Sequence, residues 1–217
     1  MKRLVIFDLD GTLLNTVGDI AAATNYALQK NGFPTHTVEE IRSFVGNGIN
    51  KLFERALPEG DKTEEMVLTI RRDFVPYYNA HGAEMTMPYP GIVELLYTLR
   101  RLGIAVAVAS NKYQQATTML METYFPEIDF AAIYGQRDGI PTKPDTRIVD
   151  DILAGTGISK ADTLYVGDSG VDMQTAINAG LDCVGVTWGC RTRAELESFS
   201  PRAVVDTTEE IFNIVIK

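Results

Sequence analysis

Cysteine, histidine and tryptophan are scarce in this chain: two, two and one among 217 residues. Two cysteines, Cys183 and Cys190, cannot staple a chain of this size. They read as reduced thiols of a cytoplasmic protein. Long apolar runs are also lacking. The first one follows Lys2 and Arg3 and stops at Asp8, too short for a signal peptide. Nothing later approaches the ~20 apolar residues of a membrane span. There is no block of Lys and Arg either; acidic residues outnumber basic ones 29 to 20, for a formal charge of -9. A nucleic-acid footprint needs a basic patch, so neither nucleic acid nor membrane is expected as a partner. No repeat or low-complexity tract interrupts the chain. At 45% apolar residues, it suits one domain plus an insert, or two small domains. One sequence shows no interface, so oligomeric state is not legible.

What is present is a rhythm. Five short runs, 4–7, 104–109, 163–166, 183–187 and 203–205, are apolar almost without alternation. That marks strands covered on both faces, as in a parallel sheet. Helical patterns lie between them. Ile92, Leu95, Leu96, Leu99 and Leu102 share one face and stop at Gly103. Pro144 can open a helix carrying Ile148, Val149, Ile152 and Leu153. Thr207 and Glu210 have the spacing of a capping box. The expectation is an α/β fold with a doubly wound parallel sheet.

One interval breaks the rhythm. Residues 15–84 hold no strand-like run and four helical patterns: 17–31, one opening at Thr37 with Glu40, 49–57, and one from Thr63 towards Tyr78 that Pro76 should kink or end. About 70 residues far exceed an ordinary connection. The expected division is a core of residues 1–14 and 85–217, and a helical domain of residues 15–84.

Ligands of open parallel sheets bind at the carboxyl ends of the strands. After the first strand comes Asp8-Leu9-Asp10-Gly11-Thr12, after the second Ser110-Asn111-Lys112, and after the third Gly167-Asp168-Ser169-Gly170-Val171-Asp172. Lys143 precedes the third. Two carboxylates about 4 Å apart repel by roughly 4 kcal/mol at an effective dielectric of about 20, and Asp168 and Asp172 add to this. A divalent cation makes such a cluster tolerable. Oxygen donors with no His or Cys nearby point to Mg2+ rather than Zn2+. Ser110 and Lys143 are residue types that hold phosphate oxygens.

In order and spacing, Asp-x-Asp-Gly-Thr, Ser110, Lys143 and Gly-Asp-x-x-x-Asp resemble the haloacid dehalogenase superfamily of phosphotransferases, and the helical insert resembles its small cap. The resemblance implies the following roles. Asp8 is the nucleophile, and Asp10 the acid and then base. Mg2+ sits on Asp8, the Asp10 carbonyl and Asp168, with Asp172 joining directly or through water. Lys143 neutralises charge. Ser110 and the N–H groups of Leu9 and Gly11 bind phosphoryl oxygens, with Asn111 beside them. The second aspartate favours ester hydrolysis over carbon–halogen cleavage.

Phe44-Val45-Gly46-Asn47-Gly48, Ser110-Asn111-Lys112 and Gly185-Val186-Thr187-Trp188-Gly189 resemble the phosphoglycolate phosphatase subgroup. The implied substrate is a small phosphorylated metabolite, 2-phosphoglycolate or a similar acid. Phosphosugar phosphatase, mutase or pyrophosphatase activity is the runner-up, and a non-catalytic phosphate-binding protein the alternative of another class. Ile20 stands where related mutases carry a His. Asn15, where many relatives carry Asp, belongs to the hinge into the cap. The Gly-x-Gly could be a plain turn between cap helices. Trp188 reads as packing, His36 and His81 as solvated, and Tyr77 and Tyr78 as facing other cap helices. Arg42, Lys51 and Arg55 are cations that could meet a substrate carboxylate, though a solvated face is the default.

Overall fold

The computed structural model describes residues 1–217. In chain order, β1 (Leu4–Phe7) and the short β2 (Leu14–Asn15) lead into four helices. These are α1 (Val17–Lys30), α2 (Val38–Phe44), α3 (Ile49–Ala56) and α4 (Glu64–His81). The short β3 (Met87–Pro88) brings the chain back. Then follow α5 (Ile92–Arg101), β4 (Ala105–Tyr113), α6 (Gln114–Tyr124), β5 (Ala132–Gln136) and α7 (Arg147–Thr156). The chain ends with β6 (Thr163–Gly167), α8 (Gly170–Ala179), β7 (Asp182–Val186), α9 (Arg193–Glu197), β8 (Ala203–Val205) and α10 (Thr208–Ile216).

Six strands form one sheet in the order β5-β4-β1-β6-β7-β8, and every neighbouring pair is parallel. The doubly wound reading holds. Val5 and Phe7 point to a core shared with Leu95 and Leu99 of α5, Leu120 of α6 and Ile211 of α10. Leu4 and Ile6 point to the other face, against Ile148 and Ile152 of α7 and Met173 of α8. Burial on both faces is why these strands lack alternation. The strand order reverses at β1, between β4 and β6, so the crevice of the switch point opens above β1.

The insert has its own core. Ile20 and Leu28 of α1, Ile41 of α2, Leu52 and Phe53 of α3, and Ile70, Phe74 and Tyr78 of α4 pack together. Its two connections are stapled. Leu14 pairs with Pro88 and Asn15 with Met87. The buried Asp19 carboxylate accepts the N–H groups of Met85 and Thr86 and the Thr86 hydroxyl, at 2.7–3.1 Å. The expected boundaries fall inside β2 and just ahead of β3. The capping boxes at Thr37–Glu40 and Thr207–Glu210 are formed.

Three local expectations need correction, and one strand was missed. Pro76 does not end α4, which runs on to His81; Pro76 and Arg72, whose carbonyl loses its donor, are both exposed, so water can satisfy that oxygen. Helix α7 opens at Arg147 with Thr146 as its N-cap, not at Pro144, which follows a cis bond from Lys143. Ser110-Asn111-Lys112 belongs to β4, with a register shift between Ala109 and Tyr113. Strand β5 was not anticipated: it is a half-buried edge strand with a glycine, and its apolar signal is weak. No helix is long and apolar enough to cross a membrane.

Candidate active site

Asp8 is the first residue beyond β1, and its N–H donates to Val166 O at 2.9 Å. Asp168 follows β6, and Asp172 lies in the first turn of α8. All three are buried, and one oxygen from each fits within a 4.8 Å cluster. Lys143 is driven into this cluster. Its Nζ lies 2.9 Å from Asp8 Oδ1 and 2.7 Å from Asp172 Oδ1. It donates to Ala109 O at 2.8 Å and to the Tyr165 hydroxyl at 3.1 Å. The other Asp172 oxygen accepts from the N–H and hydroxyl of Ser169, the N-cap of α8. Both Asp172 oxygens are therefore committed.

Asp168 is held by Thr12 Oγ1 at 3.1 Å and by the Cys190 N–H at 2.6 Å. A side chain at Gly11 or Gly189 would collide with its carboxylate, so glycine at both positions admits it. Asp8 Oδ1 is a buried acceptor without a hydrogen bond, despite the nearby ammonium. Burial first, then the Asp172 and Asp168 charges, push the Asp8 carboxyl up to about 8, against Lys143. Burial and Asp172 likewise push Asp168 up to about 6.

These residues fit a hard divalent cation. Three carboxylates supply oxygen only, and the cluster carries more negative charge than Lys143 offsets. Oxygens on one Mg2+ at about 2.1 Å stand no more than about 4.2 Å apart. The observed spacing needs only a small adjustment.

Asp10 lies apart from this cluster. Its Oδ1 accepts from Thr16 Oγ1 at 2.7 Å and from Lys112 Nζ at 3.1 Å. Lys112 Nζ in turn sits 4.4 Å from the centre of the Tyr78 ring. Burial works against the Lys112 charge, but Asp10 more than restores it and raises the ammonium above its ordinary value. A cavity of about 60 Å³ separates core and insert, with Asp8, Asp10, Ser110 and Asp168 on one side and Ile20, Val45, Leu52 and Phe74 on the other. A single water needs roughly 10–15 Å³ of such space, so the cavity suits a small ligand.

The model of the haloacid dehalogenase-like hydrolases matches residues 5–186. The chain belongs to this family. The phosphoglycolate phosphatase of Pseudomonas putida is 36% identical over 214 residues, covering 95% of this chain and 77% of that protein. That of Vibrio parahaemolyticus is 31% identical over 219 residues, covering 98% and 96%. A solved structure from Lactobacillus delbrueckii subsp. bulgaricus, provisionally assigned as a phosphoglycolate phosphatase, matches with a TM-score of 0.92 at 34% identity over 99% of both chains.

In this hydrolase the fold gathers Asp8, Asp10, Ser110, Lys143, Asp168 and Asp172 at the switch point. Two expected binding groups are otherwise engaged. The Gly11 N–H donates to Leu14 O at 2.9 Å, closing the turn, whereas the Leu9 N–H has no acceptor within the chain. The Asn111 amide accepts the Lys143 N–H at 2.8 Å and donates to Lys143 O and Gly46 O at 3.2 and 3.1 Å. It holds the lysine loop and touches the insert rather than presenting itself to a ligand.

Arg42, Lys51 and Arg55 do not reach the cavity. They pair with Glu39, with Glu54, and with Phe44 O and Asn47, respectively. Tyr78 faces core residue Lys112 rather than only cap helices. His36 meets Ala56 O and His81 meets Glu84, away from the site. Trp188 does more than pack: its indole N–H donates to Thr12 O at 3.1 Å. Sequence reasoning missed the roles of Thr12, Thr16, Cys190 and Tyr165. Arg191 was missed as well; its guanidinium donates to Arg42 O, Ser43 O and Val45 O at 2.7–3.3 Å. It thereby caps the carboxyl end of α2 from the core. Only the two threonines carried a local signal, beside the paired aspartates.

Proposed function

We propose that this chain is a Mg2+-dependent phosphatase of a small phosphomonoester, 2-phosphoglycolate foremost, working through an aspartyl-phosphate on Asp8. It is a phosphoric monoester hydrolase by class, and the names of its relatives support both class and substrate. The observation that carries the mechanism is the different surroundings of two aspartates two positions apart. Asp8 sits among buried acids with the Lys143 ammonium 2.9 Å from its Oδ1. Asp10 sits outside that cluster, oriented by Thr16 and Lys112. Distinct environments suit a nucleophile and a proton carrier.

Asp8 attacks phosphorus, and the ester bond breaks as the leaving oxygen takes a proton from Asp10. Asp10 then removes a proton from the water that attacks the aspartyl-phosphate. Phosphate departs and Asp8 is restored. The Ser110 hydroxyl and the free Leu9 N–H are donors left for phosphoryl oxygens. Lys143 compensates charge around Asp8, and Asp172 acts by holding Lys143. Mg2+, which Asp8, Asp168 and the Asp10 carbonyl would hold, supplies positive charge against the phosphoryl oxygens. Residues 15–84 act as the cap that closes over the substrate and excludes water. Ile20 brings no proton-transfer group to the cavity, which favours hydrolysis over a mutase.

The test is phosphate release by metal-stripped protein over a panel of phosphomonoesters and pyrophosphate, with and without Mg2+. The expected result is Mg2+-dependent turnover with the highest kcat/KM on 2-phosphoglycolate. Another ester in front would replace the substrate. No turnover with Mg2+ present would sink the enzyme reading.

A further inference from the structure

The cavity has phosphate chemistry at one end and an apolar cap wall at the other. Ile20, Val45, Leu52 and Phe74 form that wall. A substrate that carries a second anionic group must find a cation there. The cap arginines and Lys51 are engaged elsewhere. Lys143 does not line the cavity and spends its ammonium on Asp8, Asp172, Ala109 O and Tyr165. The Asn111 amide is committed to backbone groups. Lys112 is the one cationic side chain among the cavity's lining residues.

Its placement is specific. Nζ is 3.1 and 3.4 Å from the two Asp10 oxygens, and the Tyr78 ring covers another side. An ammonium has three donors. The carboxylate and the ring hold two of its sides, and the residue also lines the cavity. Its side chain is only 6% exposed, so a ligand placed there meets a desolvated cation.

We infer that Lys112 is a specificity-determining residue that recognises a carboxylate on the carbon next to the ester oxygen, making phosphorylated 2-hydroxy acids the preferred substrate class. This rests on the phosphatase reading above, in which Asp10 touches the ester oxygen. An ammonium bonded to that same aspartate lies one hydrogen bond from the leaving oxygen. A carboxylate on the adjoining carbon falls within its reach. The same ammonium then orients Asp10 and reads the substrate. A neutral ester brings no anion to this cation, which is how a site rejects the analogue that lacks its group.

The experiment compares kcat/KM for 2-phosphoglycolate and for 2-hydroxyethyl phosphate, which has the same carbon count and no carboxylate. Wild-type protein, Lys112→Met and Lys112→Gln are measured with Mg2+. Glutamine keeps a donor to Asp10 without the charge and serves as the second variant if methionine impairs folding. Wild type is expected to prefer the carboxylate ester by roughly 10- to 100-fold, the worth of one hydrogen bond to a charged group. Both variants are expected to lose turnover on both esters through Asp10 and to lose more on the carboxylate ester, which brings that ratio towards unity. Equal losses on both esters would assign Lys112 to Asp10 alone and overturn the inference. Equal rates on both esters in wild type would overturn it too, while leaving the phosphatase reading intact. Wild type inert on both would overturn the phosphatase reading itself, and this inference with it.

Discussion

Replacing Asp8 with asparagine should abolish turnover and, in metal-free protein, make the fold more stable. The Asp8 carboxyl rises from 3.8 to about 8 in the folded state, chiefly through burial and then through Asp172. A carboxyl raised on folding favours the folded state when protonated. Its contribution is therefore present below the unfolded value near 4 and is lost as pH climbs towards 8. A rise of that size, at roughly 1.4 kcal/mol for each tenfold change in proton affinity, bounds the penalty of the ionised group at about 5–6 kcal/mol. Lys143 loses an ion partner in the variant, although Asp172 remains at 2.7 Å. That attraction already lies within the net rise; relaxation around the ionised group recovers part of the penalty, which leaves a net stabilisation of about 1–3 kcal/mol at pH 8. At 2–4 °C per kcal/mol for a chain of about this length, the midpoint rises by roughly 2–12 °C. The assay is thermal and urea unfolding in chelator at pH 5 and pH 8. The gain should be larger at pH 8, and saturating Mg2+ should shrink or reverse it by stabilising wild type alone. An asparagine variant no more stable than wild type at pH 8 without metal would refute the claim that burial and like charge strain Asp8.

Two further outcomes follow from the same geometry. Mg2+ binding should tighten as pH rises from about 6 to about 8 and release protons, because Asp168 and Asp8 shed theirs across that range. Calorimetry in buffers of different ionisation enthalpy reads this, and affinity independent of pH would contradict it. Arg191→Ala should free the last carbonyls of α2, loosening cap closure so that KM rises more than kcat falls. Amide exchange at Phe44–Asn47 should quicken, and unchanged exchange there would count against Arg191 as the clasp.

Much of the fold was legible because its cause is local. A strand covered on both faces is apolar at nearly every position, and residues 4–7 or 163–166 show this without knowledge of their neighbours. The half-exposed β5 was lost because only pairing with β4 makes Ala132–Gln136 a strand. The site divides in the same way. Asp8, Asp10, Asp168 and Asp172 were found because spacing along the chain places each at a strand end or in the first turn after it. The partners that define their chemistry were not. Lys112 meets Asp10 across 102 positions, and Cys190 meets Asp168 across 22. Arg191 reaches cap carbonyls nearly 150 positions away. Asn111 looked like a ligand group and proved to be a brace for Lys143. The sequence by itself determined which carboxylates stand at the switch point, because motif spacing is covalent. Only the tertiary structure decided which cation each one faces, because Lys112 of β4 and the loop that carries Lys143 meet Asp10 and Asp8 only when strands far apart in sequence lie side by side in the sheet.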